Sequence, residues 1–159
     1  MSFGSPAAAA TMYELVRAYL ERHFRVRQRR IAQILASHTA PRERLLAVVA
    51  EVEGFLAGSA FRGCRFIAAA AESRPGEAGA IVAEEYRAWL WSVFTDLAEA
   101  VGARDPKQVG RQLFLLYDGA AVAARMDEDR GAAAKAVHSA AMAVLDAAVP
   151  SKRKSRRAP

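Results

Sequence analysis

The chain has 159 residues, which is enough for one domain with a sizeable core. Its single cysteine excludes an internal disulfide and any metal site built from several cysteines. Of its 23 lysines and arginines, five lie in the last nine residues, so the rest of the chain has 18 basic against 17 acidic residues. A body so close to neutral has no strong electrostatic attraction for nucleic acid.

Both termini differ in composition from the rest of the chain. Residues 1–10 lack the basic start and the leucine-rich core of a secretory signal, and we predict a flexible lead-in. Residues 150–159 are predicted to form a disordered basic tail that contacts anions only weakly. No apolar run approaches the roughly 20 residues that span a bilayer. A lone cysteine fits a reducing compartment, so we expect a cytoplasmic protein.

Residues 11–149 are predicted to form one all-helical domain, because alanine is abundant and strand-forming residues never alternate over a long run. Apolar residues at helical spacing begin near Thr11 and continue to about Leu35. The arginines at positions 25–30 interrupt this pattern, and we interpret them as a solvated basic face. A break follows, and Pro41 suits the first turn of a second helix that extends to Leu56.

The residues around Cys64 are predicted to form a hinge and a short helix. A glycine at position 63 can adopt a positive φ without steric strain, and the small residues up to Glu72 favour a helix that neighbours can approach closely. The proline–glycine pair at 75–76 predicts a turn. No catalytic pattern is evident here.

Three long helices are predicted in the remaining chain, which brings the total to about six in a single all-α bundle. An aromatic helix extends from Ala78 to Ala100, and a second begins at Pro106 behind the N-cap Asp105. The last helix extends from about Arg130 to Val149. Because the last two helices have apolar residues on more than one side, we predict that they form an oligomer interface, most simply a two-fold one.

Several segments, taken in order, resemble the C-terminal domain of TetR-type transcriptional regulators. They are residues 61–70 (FRGCRFIAAA), 103–107 (ARDPK) and 111–121 (RQLFLLYDGAA), together with the similar segments 41–46 and 85–90. The resemblance extends from about Glu14 to Val149. It implies an all-α domain that binds a small effector and dimerises through its last two long helices.

The resemblance also implies partners and candidate site residues. We expect a homodimer or a heterodimer with a full-length homologue, a small apolar effector and no cofactor. The residues expected at the dimer contact are Gly119, Val122, Val137, Ala141, Val144 and Leu145. The effector pocket is expected among the central helices. Its candidate lining residues are Phe24, Phe55, Cys64, Phe66, Tyr86, Trp89, Phe94 and Tyr117. Packing in an ordinary hydrophobic core would explain each of these residues equally well.

The family's DNA-reading domain, a three-helix unit with a helix-turn-helix, would precede Glu14. Only thirteen residues stand there. We therefore expect a truncated regulator, without sequence-specific DNA binding by this chain alone, because these residues are too few to encode the groove-reading helix. A heterodimer with a full-length homologue would then block binding to a palindromic operator, which needs two reading heads. The sequence does not distinguish a late translation start, a truncated relative and a free-standing effector domain.

Two other functions remain open from the sequence. The first is a small helical enzyme that uses Cys64, whose thiolate the flanking Arg62 and Arg65 would favour. The second is an adaptor whose basic tail binds nucleic acid or a membrane. We expect no metal site, because no two histidines have the spacing of metal ligands on one helix. We also expect no enzyme activity.

Overall fold

A computed structural model describes residues 6–56 and 62–149, without the side chains of residues 6–9, 52–56 and 130. The described residues contain no β-strand, and the predicted all-α fold is confirmed. Six helices follow one another in this described part: α1 (Pro6–Ala36), α2 (Pro41–Leu56), α3 (Arg65–Glu72), α4 (Ala78–Ala100), α5 (Pro106–Met126) and α6 (Arg130–Ala148).

The first helix is longer than the sequence pattern predicts. It begins at Pro6 instead of near Thr11 and continues for 31 residues. Proline suits the first turn of a helix, and the alanines that follow it have the highest intrinsic helix propensity. The predictions for residues 1–5 and for the tail at 150–159 lie outside the described residues.

Local signals place the boundaries of the later helices. Gly63 has φ +100° immediately before α3, a backbone conformation that favours glycine, as predicted. The Asp105 carboxylate accepts a hydrogen bond from the backbone N–H of Gln108 at 3.0 Å, which confirms the predicted N-cap of α5. Asp129 caps α6 in the same way through Ala132, at 3.1 Å.

Helix α4 is central to the bundle and packs against α1, α2, α3 and α5. Its side chains Leu90 and Phe94 are fully buried. Helix α5 crosses α4 closely at Gly110, where an added Cβ would lie 2.8 Å from the backbone N of Thr95. The absence of a side chain at this position therefore sets the distance between the two helices.

The two halves of α1 have different surroundings. From Leu20 onward the helix packs against α2 and α4. Between residues 10 and 19 most side chains are exposed, although Val16 packs against the core. Met12, Leu15 and Tyr19 present an apolar stripe to solvent, with 61%, 63% and 49% of their surface accessible.

Candidate functional site

A cavity of about 290 Å³ opens to solvent between α1, α2, α3 and α4. We call it the α1–α4 cavity. Helix α1 supplies one side of its lining, while the other helices each contribute one to three residues. The lining consists of His23, Val26, Arg27, Arg30, Glu51, Cys64, Arg65, Phe66 and Tyr86.

One wall of the cavity is aromatic. The rings of Phe66 and Tyr86 stack with centroids 3.8 Å apart and planes 9° from parallel. Phe24 meets both rings edge-on, at 6.3 Å and 5.6 Å, and Trp89 lies 5.3 Å from Phe24. Offset and edge-on ring pairs of this kind hold one another in place. Of the predicted pocket residues, Cys64, Phe66 and Tyr86 therefore line the cavity, and Phe24 and Trp89 form a second layer behind it.

Other predicted pocket residues lie elsewhere. Phe94 is fully buried and Tyr117 is 3% exposed, and their ring centroids are 5.7 Å apart in the core. Neither lines the α1–α4 cavity. The side chain of Phe55 lies outside the described part of the structure.

The lining also holds a buried charge cluster that sequence reasoning missed. Glu51 on α2 accepts a hydrogen bond on each carboxylate oxygen from one terminal nitrogen of Arg27, at 2.7 Å. Its Oε1 also lies 2.7 Å from Nε of Arg30. The Tyr117 hydroxyl donates to Oε2 of the same carboxylate at 3.1 Å. The side chains of Glu51 and Arg27 are only 2% and 11% exposed, so the pair is enclosed by protein.

A signal for this cluster was present in the sequence. Arg27 falls at helical spacing on the same face of α1 as Leu20, Phe24 and Ile31, all of which pack into the core. Glu51 likewise follows the buried Val48 by three residues on α2. An acid and a base that each interrupt an apolar stripe indicate a buried ion pair, whereas we had interpreted the arginines as a solvated face.

Burial and neighbouring charges fix the protonation of Arg27 and of the two tyrosines beside it. Burial alone disfavours the Arg27 cation, but the oxygens of Tyr117 and Tyr86 and the Glu51 carboxylate outweigh it, so the pKa of Arg27 lies above its ordinary value. Burial raises the pKa of Tyr86 to about 12 and that of Tyr117 well above its ordinary value. Both phenols therefore keep their protons at neutral pH.

The cavity also brings His23 and Cys64 to one lining. Burial, followed by the charges of Arg65 and Arg22, lowers the pKa of His23, so its ring is neutral at pH 7. Burial raises the pKa of the Cys64 thiol. An activated cysteine needs the opposite shift, and the hypothesis of a cysteine-dependent enzyme loses its main support.

The predicted dimer residues divide into two groups. Gly119 is exposed, Val122 is 43% exposed and Val144 is half-buried. The other three, Val137, Ala141 and Leu145, are buried in the core of the same chain. They have almost no accessible surface for a contact with a second copy, so their prediction as dimer-contact residues is wrong. They form the inward stripe of α6. The outward side of α6 carries Met142 and Ala143 beside Lys135 and Asp146, so apolar residues on more than one side did not separate the inward stripe from the contact surface.

An exposed apolar stripe does occur on α5. Leu115 and Met126, 58% and 78% exposed, lie at helical spacing with Gly119 and Val122. We call these four residues the α5 stripe. On the neighbouring α6, Met142 is 40% exposed. A contiguous apolar surface of this kind is typical of an interaction site.

Two other features concern metals and membranes. Nowhere in residues 6–56 and 62–149 do three histidine, cysteine, aspartate or glutamate side chains gather as a metal site would require. Among the helices that the structure describes, none is long and apolar enough to cross a membrane.

No protein-family model matches the chain, and no curated protein matches it. Its structure is similar to that of a TetR-family transcriptional regulator from Streptomyces coelicolor, with a TM-score of 0.82 and 26% identity over 89% of this chain and 78% of that chain. It is also similar to a proposed TetR-type regulator from Streptomyces avermitilis, with a TM-score of 0.70 and 29% identity over 91% of this chain and 80% of that chain.

These two similarities cover most of the chain, and the predicted resemblance to TetR-type regulators is confirmed. The chain has a TetR-like fold, and this fold supports a role in transcription regulation. Because both similar proteins are described as transcriptional regulators, they also give indirect support to a function other than catalysis.

Proposed function

We propose that this chain is the effector-binding and dimerisation module of a TetR-like transcriptional regulator, and that the α1–α4 cavity is its effector site. The observation that carries the proposal is the cavity itself, which combines a stacked aromatic wall with a few convergent polar groups. Small-molecule sites in proteins have this composition, and their volumes begin at roughly 300 Å³. The volume here, about 290 Å³, suits a compact ligand.

The cavity walls are held in place by contacts that do not require a ligand. Glu51 ties α2 to α1 through two arginines and to α5 through Tyr117. Phe66 and Tyr86 tie α3 to α4 by stacking. A site that is already ordered loses little conformational entropy when its ligand binds.

The position of α1 suggests how occupancy would be communicated. This helix contributes His23, Val26, Arg27 and Arg30 to the cavity and continues without interruption to Pro6. A ligand that favours one position of α1 would also bias the position of residues 10–19 of the same helix, most of which are exposed.

We propose the α5 stripe, with the adjacent face of α6, as the dimer surface. Its four residues follow one another at spacings of four, three and four, and they lie on the same side of α5. Two copies related by a two-fold axis would cover one stripe with the other. A heterodimer with a full-length homologue would use the same surface.

Light scattering behind a sizing column tests the dimer. We expect the wild-type chain to have the mass of a dimer and Leu115→Glu to shift it towards the monomer, because a charge would be buried in the contact. Leu15→Glu is the matched control, since Leu15 is also an exposed leucine (63%) but lies on α1. A wild-type monomer, or equal behaviour of the two variants, would contradict the proposed dimer surface.

Binding of small aromatic compounds tests the effector site. We expect members of an aromatic compound panel to raise the Tm of the wild-type chain. Val26→Trp should abolish this rise, because Val26 lines the α1–α4 cavity and is 51% exposed, so a larger ring can occupy the opening without entering the core. Leu15→Trp should retain it. If no compound raises the Tm, or if both variants still respond, the effector site is refuted.

A further inference from the structure

We infer that the α1–α4 cavity binds an organic carboxylate, with its apolar body against Phe66 and Tyr86 and its charge held by Arg65 and Arg30. This inference rests on the proposed function and narrows the ligand class of that site. It also departs from the apolar effector that the family resemblance implies.

The lining has an excess of positive charge. It contains three arginines and a single carboxylate, that of Glu51. Glu51 is already bonded by Arg27 and by Arg30, and its side chain is 2% exposed. It is therefore not free to balance Arg65 as well. His23 adds no charge at pH 7, because burial and nearby arginines lower its pKa.

Arg65 is the cation best placed to receive a ligand. It is the first residue of α3 and is exposed. Its Nε donates to the Tyr19 hydroxyl at 3.2 Å, and its guanidinium carbon lies 6.0 Å from the centre of that ring. Among the described residues no carboxylate lies within ion-pair distance of it. The terminal nitrogens of a guanidinium match the two oxygens of a carboxylate, which makes Arg65 a suitable anchor.

Arg30 is a second arginine that lines the cavity near solvent. It uses Nε to reach Glu51, and its side chain is 57% exposed. Beside these cations, Phe66 and Tyr86 are 5% and 2% exposed, so the aromatic wall belongs to the interior. The site thus has an apolar base and a cationic mouth. A neutral apolar ligand would contact only the base and would give Arg65 no counter-charge, whereas a carboxylate would contact the aromatic rings and also pair with Arg65.

A pair of compounds of nearly the same shape tests the charge preference. We would titrate 1-naphthoate and 1-naphthamide into the wild-type chain at pH 7.5 by isothermal titration calorimetry. Naphthoate is expected to bind about tenfold more tightly, which is the gain of a charge-assisted hydrogen bond at a partly exposed site. Arg65→Gln should remove most of this preference.

Arg29→Gln is the matched control. Arg29 lies next to Arg30 on the same helix and is exposed, but it does not line the cavity. This variant loses the same charge as Arg65→Gln and should keep the preference for naphthoate. A preference that falls equally in both variants would come from the net charge of the chain and would overturn the inference.

Two further results separate this inference from the proposed function. Equal binding of naphthoate and naphthamide, lost in both cases by Val26→Trp, would refute the carboxylate and leave the effector site standing. Absence of binding by either compound up to about 1 mM, a free energy near −4 kcal/mol, would refute both. A preference for naphthoate that survives in Arg65→Gln would place the anion elsewhere and would also overturn the inference.

Discussion

Glu51 and Glu21 each lie between two arginines, but their surroundings are opposite. Glu51 joins two helices, with Arg27 on both of its oxygens and Arg30 at 2.7 Å, and its side chain is 2% exposed. Glu21 lies within α1, 2.7 Å from Nε of Arg17 and 3.7 Å from Arg25, and its side chain is 32% exposed.

The comparison indicates that an ion pair of the same chemical groups contributes differently to stability depending on whether it is buried or exposed. Water can solvate Glu21 or either arginine if the contact opens, and exposed pairs of this kind contribute little to stability. The side chain of Arg27 is only 11% exposed, so little of it contacts water while the surrounding region stays folded. An unpaired charge in that position would have lost its water and gained no partner.

The largest effect is expected from Glu51→Gln. This change removes the carboxylate that accepts a hydrogen bond from Arg27 on each of its two oxygens, and we expect the free energy of unfolding to fall by about 3 to 5 kcal/mol. Urea denaturation monitored by circular dichroism measures the loss. Glu43→Gln is the control, because Glu43 is an exposed glutamate on the same helix. A loss below about 1 kcal/mol would show that the ion pairs of Glu51 contribute no more to stability than exposed pairs do, and would contradict the proposed difference between Glu51 and Glu21.

An intermediate effect is expected from alkaline pH. The pKa of Tyr86 is raised to about 12 by burial, whereas a tyrosine in the unfolded chain titrates near its ordinary value of 10.0. Between these pH values the folded state binds more protons than the unfolded state. The contribution of Tyr86 to the free energy of unfolding is therefore fully present below pH 10 and declines as the pH rises towards 12. The decline attributable to Tyr86 is on the order of 2 to 3 kcal/mol.

Denaturation at a series of pH values measures this decline. Tyr86→Phe should make the decline shallower by the part due to Tyr86, because phenylalanine has no proton to lose, while Tyr117, whose pKa is also raised, keeps its own part. Glu21→Gln should keep the wild-type slope, since Glu21 belongs to the exposed region. An unchanged slope in Tyr86→Phe would show that this phenol does not retain its proton in the folded state.

The smallest effect is expected from Glu21→Gln. Arg17 and Arg25 remain solvated when the carboxylate is removed, so the urea midpoint should stay within experimental error of the wild-type value. The hydrogen bond from Arg17 lowers the pKa of Glu21, so any contribution is present at neutral pH and is lost on acidification. Added salt should remove what remains. A loss as large as that of Glu51→Gln would remove the distinction between the two sites.

Much of the fold could be predicted from local signals. The all-α class, the limits of α4, the cap at Asp105 and the positive φ of Gly63 follow from propensity, capping and backbone sterics, which act within a few residues. The start of α1 was missed because the prediction began the helix at the first apolar residues with helical spacing, and residues 7–10 are alanines that show no such spacing despite their high helix propensity.

The candidate site was predictable only in part. Phe66, Tyr86 and Cys64 do line the cavity, whereas Phe94 and Tyr117, which have the same aromatic character, are core residues. The spacing of a residue places it on a helix face but does not say what covers that face. For the same reason the inward stripe of α6 could not be told from its outward face.

The sequence by itself determined that this protein is helical, where most of its helices begin and end, and that it resembles TetR-type regulators. These properties depend on short-range interactions and on the order of motifs. The tertiary structure alone decided that Arg27 and Glu51 meet, that the cavity lies beside them, and which apolar faces are covered. These depend on contacts between residues far apart in the chain, such as the 66 positions between Glu51 and Tyr117. No local pattern encodes the angle at which two helices cross.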